Sequence, residues 1–147
     1  MGKTEIFDIL IVEDNPNDAE LIIRALKKGN IVNSLHVVED GEKALDFVFA
    51  RGQYSNRSGI RLPKVILLDI KLPKVNGLEV LKAIKENEST KKIPVVIVTS
   101  SREDPDIQVA YSLGANSYVV KPVDSTSFMN AMVGLGLYWL LVNQPPK

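Results

Sequence analysis

Five short apolar runs alternate along the chain with longer segments in which apolar residues recur at helical spacing. The runs cover residues 6–12, 34–38, 65–69, 93–98 and 117–120. A continuous apolar run bounded by turn residues, as at 65–68, is typical of a strand that is covered on both faces of a parallel sheet. These five runs are therefore the predicted strands.

The segments between the runs carry helix signals. Asn15 and Pro16 predict a helix start, and Gly29 after two lysines predicts its end. In the second helix, Ala44, Leu45, Val48 and Phe49 share the predicted inward face, and further helices are expected over 77–87, 105–113 and 125–143. This alternation predicts an α/β fold, a single doubly wound sheet of five parallel strands with helices on both faces.

Residues 1–147 are expected to form one domain, since no repeat or linker divides the chain. Residues 51–62 are a polar connection of 12 residues, which is long for a compact α/β unit. Its three arginines could contact a partner, but a solvated surface loop is the simpler interpretation.

Composition excludes several classes of function. Lysine plus arginine and aspartate plus glutamate number 18 each, so no net charge favours nucleic acid or an anionic membrane. The chain has no cysteine and one histidine, which excludes disulfides, thiolate chemistry and a histidine-based metal cluster.

The apolar stretch 131–142 is shorter than the about 20 residues that span a bilayer. Without a secretion signal, a cytoplasmic protein is expected.

Four of the predicted strands end in polar side chains that suit one another. The ends carry Glu13 with Asp14, then Asp69, Thr99 and Lys121. The carboxyl ends of parallel strands line the crevice where such sheets bind ligands. Acids held close together there repel one another, and Mg2+ relieves that repulsion. The hydroxyl and the ammonium group suit phosphoryl oxygens. The alternative is that each residue merely terminates its strand.

With these residues, the chain resembles a response-regulator receiver domain of two-component signalling over essentially its whole length. The matching motifs are the acid pair 13–14, Asp69, Leu72-Pro73 with Gly77, Thr99, and Lys121-Pro122. The resemblance implies a flavodoxin-like sheet of strand order 2-1-3-4-5. It also implies that Asp69 accepts a phosphoryl group from a histidine kinase.

The resemblance further implies roles for the surrounding residues. Asp14, Asp69 and the backbone carbonyl of Lys71 would bind Mg2+, and Glu13 would act largely through a water. Thr99 and Lys121 would each contact a phosphoryl oxygen.

Tyr118 stands where such domains carry a switch aromatic, which turns inward as Thr99 moves toward the phosphate. The alternative for Tyr118 is an edge-strand tyrosine half in solvent. The long loop and the lack of an output domain resemble the stand-alone regulators that serve bacterial phytochromes.

Two other functions fit these residues less well. An aspartate-based phosphohydrolase usually has a second carboxylate two residues after the nucleophile, and here that position is Lys71. A module that binds constitutively without phosphate is disfavoured because every phosphate-handling residue is present. We therefore expect a phosphoacceptor and not an enzyme that turns over a free substrate.

The last predicted helix, 125–143, is apolar on all sides. Such a helix is normally buried all round, and with no second domain to cover it we expect a homodimer. Tyr138, Trp139 and Leu141 are the candidate interface residues. The alternative is that this end of the chain folds back on its own domain.

Overall fold

The computed structural model describes residues 9–28, 34–55, 62–100 and 104–121, together with the single helical positions 126 and 130. The rest of the predicted last helix, with the candidate interface residues Tyr138, Trp139 and Leu141, lies outside the described residues. Among the described residues, no helix has the length and apolar character that crossing a bilayer requires.

The described chain is built around a parallel sheet of five strands. They are β1 Ile9–Val12, β2 Leu35–Val38, β3 Val65–Leu68, β4 Val95–Thr99 and β5 Ser117–Val120. The order in the sheet is β2-β1-β3-β4-β5, and every neighbouring pair is parallel. The predicted doubly wound sheet and its strand order are confirmed.

In the part of the chain that the structure describes, four α-helices connect the strands. They are α1 Pro16–Lys28, α2 Gly41–Val48, α3 Gly77–Glu86 and α4 Asp104–Ser112. A short 3-10 helix, Gly52–Tyr54, follows α2.

Alternate residues of each central strand face two separate apolar cores. In β1, Leu10 and Val12 belong to a core that includes residues of α2, α3 and α4. Ile9 and Ile11 belong to the core on the other face, which α1 covers with Ile22 and Leu26. Because both faces of β1, β3 and β4 are buried, these strands are continuous apolar runs in the sequence.

The fourth strand begins at Val95 and not at Ile93, as the apolar run had predicted. The N–H of Ile93 donates to the carbonyl of Thr90, which places Ile93 in the preceding turn. Pro94 has no N–H to give to the sheet and contributes only its carbonyl, which accepts from Ile66.

The buried face of α2 agrees with the predicted one at Ala44 and Val48 and differs at its edges. Phe47 is fully buried, whereas Leu45 and Phe49 are only partly buried. The ring of Phe47 stacks on His36 at a centroid distance of 4.6 Å and meets Tyr54 edge-on at 5.1 Å. Phe47 follows Ala44 by three residues, which places it on the same buried stripe, and it forms an aromatic cluster with His36 and Tyr54.

The same cluster anchors the start of the long connection 51–62. The Tyr54 hydroxyl lies 2.9 Å from Nε2 of His36, so the loop is tied to the edge strand β2. Arg51 pairs with Asp46 at 3.0 Å. The described beginning of this loop is therefore packed against the domain; the other two arginines of the loop lie outside the described residues.

Gly77 allows the segment after Asp69 to pack against the start of α3. Its N–H donates to the carbonyl of Ile70 at 2.7 Å. A Cβ at this position would lie 2.0 Å from the carbonyl oxygen of Asp69 and 2.7 Å from the Cα of Ile70. On the other side, a Cβ on Gly41 would lie 1.8 Å from the carbonyl oxygen of Val75. The two glycines thus let backbone pack on backbone around this loop.

Replacing Gly77 with alanine should destabilise the fold, because the new methyl group overlaps the backbone of Asp69. We expect Gly77→Ala to lower the free energy of unfolding by about 1–3 kcal/mol, as overpacking does in other proteins. Urea denaturation followed by circular dichroism measures this. Lys82→Ala on the exposed side of α3 is the matched control. Equal urea midpoints for Gly77→Ala and the wild type would contradict the close approach.

Candidate functional site

The polar strand ends predicted from the sequence meet at the carboxyl edge of the sheet. These residues are Glu13, Asp14, Asp69, Thr99 and Lys121. The backbone ladder continues one residue past the strands, since the Asp69 N–H donates to the Val12 carbonyl at 3.1 Å and the Lys121 N–H to the Thr99 carbonyl at 2.8 Å. The sheet itself therefore sets where Asp69 and Lys121 stand.

Three of these residues form an acidic cluster. Glu13, Asp14 and Asp69 each place one carboxylate oxygen so that all three atoms lie within 4.8 Å of one another. Glu13 and Asp69 are buried, while Asp14 is exposed. The cluster is therefore open to solvent on the Asp14 side, and its oxygens are the kind of ligand that hard divalent cations take.

The ammonium group of Lys121 lies against three carboxylates. Its Nζ is 2.6 Å from Oε1 of Glu13, 2.9 Å from Oδ2 of Asp18 and 2.9 Å from Oδ2 of Asp69. Burial by itself lowers the pKa of Lys121, but the three carboxylates outweigh it and raise the pKa above its ordinary value. Lys121 is therefore a permanent positive charge beside Asp69.

Glu13 is only partly satisfied in this arrangement. Its Oε2 accepts a hydrogen bond from the Asn15 N–H at 3.1 Å. Its Oε1 is close to the Lys121 ammonium, but the angles are not those of a hydrogen bond. Among the described residues, this Oε1 is the only buried side-chain nitrogen or oxygen without a hydrogen-bond partner. Burial raises the pKa of Glu13 to about 7, and the Lys121 and Asn15 contacts offset this only in part.

Asp69 has both of its carboxylate oxygens engaged. Oδ1 accepts from the backbone N–H of Lys71 at 3.3 Å, and Oδ2 accepts from Lys121 at 2.9 Å. The side chain is 7% exposed, so its orientation is constrained on most sides. The carboxylate is thus held in place at the edge of the sheet, next to one cation and two further acids.

Thr99 and Tyr118 lie on the two strands beyond Asp69. Thr99 is the last residue of β4 and is fully buried. Tyr118 pairs in register with Ile97, packs against the core and is partly buried, with its ring 6.5 Å from that of Tyr111. The inward movement of Tyr118 remains a prediction.

Asp18 is the member of the site that sequence reasoning did not identify. In the sequence, Asp18 has the features of a favourable charge in the first turn of a helix and nothing more. The structure instead shows its carboxylate on the Lys121 ammonium. The available signal was its spacing of one helical turn from Asp14, because α1 begins at the carboxyl edge where β1 ends.

Comparison with known sequences supports one family for this chain. The family profile described as the response regulator receiver domain matches residues 9–133. The probable methanogenesis regulatory protein FilR2 of Methanothrix harundinacea is 39% identical over 140 residues, which are 95% of this chain and 88% of FilR2. The response regulator Rcp1 of Synechocystis is 37% identical over 132 residues, 90% of this chain and 88% of Rcp1.

Solved structures agree with these sequence matches. The bacteriophytochrome response regulator AtBRR is 48% identical, with a TM-score of 0.83 over 95% of this chain and 99% of AtBRR. The Mn2+-bound form of Rcp1 is 36% identical, with a TM-score of 0.75 over 95% and 98% of the two chains. The phosphorylated cyanobacterial phytochrome response regulator RcpA is 32% identical, with a TM-score of 0.75 over 97% and 100%. The chain therefore belongs to the response regulator receiver domain family.

Proposed function

We propose that this protein is a phosphorylation-controlled response regulator whose Asp69 accepts a phosphoryl group from a histidine kinase. The proposal rests on the hydrogen-bond partners and neighbouring charges of Asp69. One carboxylate oxygen is held by the Lys121 ammonium and the other by the Lys71 N–H, beside the acids Glu13 and Asp14. A nucleophile next to a fixed cation suits transfer of a group that carries negative charge.

In the proposed transfer, a carboxylate oxygen of Asp69 attacks the phosphorus of the kinase phosphohistidine. The new O–P bond forms as the P–N bond breaks, and the electron pair leaves with the imidazole nitrogen, which takes a proton from solvent. Lys121 is placed to balance the charge on the phosphoryl oxygens. The hydroxyl of Thr99 is proposed to bind another of these oxygens, as the family resemblance implies.

The acidic cluster fits a divalent cation, and we propose Mg2+. The support comes from the three carboxylate oxygens within 4.8 Å of one another and from the burial of Glu13 and Asp69, which leaves few solvent contacts to offset the repulsion of their charges. Asp14, Asp69 and the backbone carbonyl of Lys71 would hold the ion, with Glu13 acting through a water. When bound, the ion neutralises the acids and part of the phosphoryl charge.

A binding role is favoured over turnover of a free substrate. Two residues after Asp69, where an aspartate-based phosphohydrolase would place its second carboxylate, the chain has Lys71, and this residue is exposed on the loop. A constitutive interaction module would not need Glu13, Asp14, Asp69 and Lys121 at one edge of the sheet. The chemistry that we propose is therefore phosphorylation of Asp69 and its reversal.

Incubation with acetyl phosphate and Mg2+ should label Asp69, and Asp69→Asn should abolish the label because the amide cannot form the acyl phosphate. Mass spectrometry of the intact protein and of its peptides measures this. Omitting Mg2+ or adding EDTA should suppress the label, because the acids around Asp69 would then repel the phosphodonor. Undiminished labelling of Asp69→Asn would show that the phosphoryl group goes elsewhere.

We further propose a histidine kinase of the bacterial phytochrome type as the phosphodonor. The support is the similarity to AtBRR and RcpA, both described as phytochrome response regulators, over more than nine tenths of this chain. Transfer from such a kinase would take place in the cytoplasm, where ATP is available. In phosphotransfer profiling, a phytochrome-type kinase should label Asp69 much faster than unrelated kinases from the same source. Equal rates for both groups would contradict the pairing.

We also propose that the protein forms a homodimer through the side of its C-terminal segment. The support is the charge-free pattern of 125–143, which includes Tyr138, Trp139 and Leu141. Sedimentation velocity at micromolar concentration should detect a dimer, and Trp139→Ser combined with Leu141→Ser should weaken it. Purely monomeric wild-type protein, with and without a phosphoryl mimic, would rule the dimer out.

A further inference from the structure

Of the three carboxylates that the described residues place on Lys121, that of Asp18 has no role in the proposed function. An ammonium group has three N–H donors, and in this site three carboxylates surround it. Asp69 is the proposed phosphoacceptor, and Glu13 belongs to the acidic cluster. Asp18 is outside that cluster, and its Oδ2 accepts a hydrogen bond from Lys121 at 2.9 Å.

We propose that Asp18 is a positioning residue for phosphoryl transfer, one that anchors the Lys121 ammonium beside Asp69. This inference rests on the proposed function, since it gives Asp18 a part in the phosphorylation of Asp69. Asp18 acts through Lys121 and does not touch the reacting atoms.

The backbone on both sides of this ion pair is fixed. The side chain of Asn15 caps α1, because its Oδ1 accepts from the N–H groups of Asn17 at 2.8 Å and Asp18 at 3.2 Å. Lys121 is fixed by its N–H bond to the Thr99 carbonyl at 2.8 Å. The pair therefore joins the start of α1 to the end of β5, and it limits how far the ammonium can move from the sheet edge.

Asp18 is the anchor that phosphorylation leaves unchanged. Glu13 lies closer to the ammonium group, at 2.6 Å, but it also belongs to the acidic cluster that is proposed to bind the metal. The carboxylate of Asp69 is itself converted to an acyl phosphate. The bond from Asp18 can persist through both changes, so it keeps the flexible lysine side chain from swinging away.

A competing role for Asp18 predicts the opposite effect of its removal on the rate of phosphorylation. If the carboxylate of Asp18 drew the ammonium away from Asp69, its removal would speed phosphorylation. The distances argue against this, since Lys121 reaches Asp18 and Asp69 at the same 2.9 Å. The Lys121 side chain is 12% exposed and that of Asp18 is 33% exposed, so we expect an effect of moderate size.

The test compares the initial rate at which acetyl phosphate labels the full-length wild type, Asp18→Asn, Asp18→Glu and Glu20→Gln, at saturating Mg2+. Asp18→Asn should slow labelling about three- to tenfold, the range for a charge-assisted hydrogen bond at a partly exposed site. Asp18→Glu keeps the charge and should recover most of the rate. Glu20→Gln removes an equal charge from the exposed side of α1 and should leave the rate unchanged.

A second measurement reports on Lys121 directly. In protein with 15N-labelled lysine, the Lys121 ammonium should give a slowly exchanging NMR signal that broadens or disappears in Asp18→Asn but persists in Asp18→Glu. A merely structural role for Asp18 would lower the melting temperature and leave this signal intact.

An unchanged or faster labelling rate in Asp18→Asn, with the wild type labelled on Asp69, would overturn the positioning role alone. A wild type that is not labelled on Asp69 would instead overturn the proposed function, and the role of Asp18 with it.

Discussion

The ammonium group of Lys121 is the charge that allows four carboxylates to share one edge of the sheet. Two carboxylates about 4 Å apart repel by about 4 kcal/mol at an effective dielectric constant near 20. Glu13, Asp18 and Asp69 each lie within 3 Å of the ammonium, so each repulsion is offset by an attraction. Without that cation, the burial of Glu13 would raise the pKa of its carboxyl group further and favour the neutral form more strongly.

The fold supplies this arrangement through its backbone. Parallel strands end at one edge, and the ladder extends one residue further to fix Asp69 and Lys121. The glycines at the starts of α2 and α3 let the loop after Asp69 pack backbone to backbone against both helices. The backbone of that loop is therefore in direct contact with the starts of α2 and α3.

Much of the fold could be predicted because the residue pattern that specifies each strand or helix lies within that segment of the sequence. Continuous apolar runs such as 65–68 indicate strands buried on both faces, and the alternation with helices indicates a doubly wound sheet. The polar residues that follow the runs indicate one edge, because all parallel strands end there. The boundaries of the strands and helices were predicted less accurately. Pro94, for example, has no N–H to donate to the sheet, and β4 begins after it, at Val95. Phe47 was left out of the predicted inward face of α2, although it lies three residues after the buried Ala44; its contacts with His36 and Tyr54 are long-range and carry no signal in the helix itself.

The site, like the fold, could be predicted only in part. The kinds of residue at 13, 14, 69, 99 and 121 indicated phosphoryl chemistry, and the family resemblance connected them. The hydrogen-bond partners could not be predicted in this way: Asp18 and Lys121 are 103 positions apart, and they meet only because α1 and β5 are placed against the same edge of the sheet. The sequence pattern specifies which faces are buried and which residues follow each strand. The direction of a side chain at a helix start, and therefore which charges share a cation, depends on how the elements pack in three dimensions.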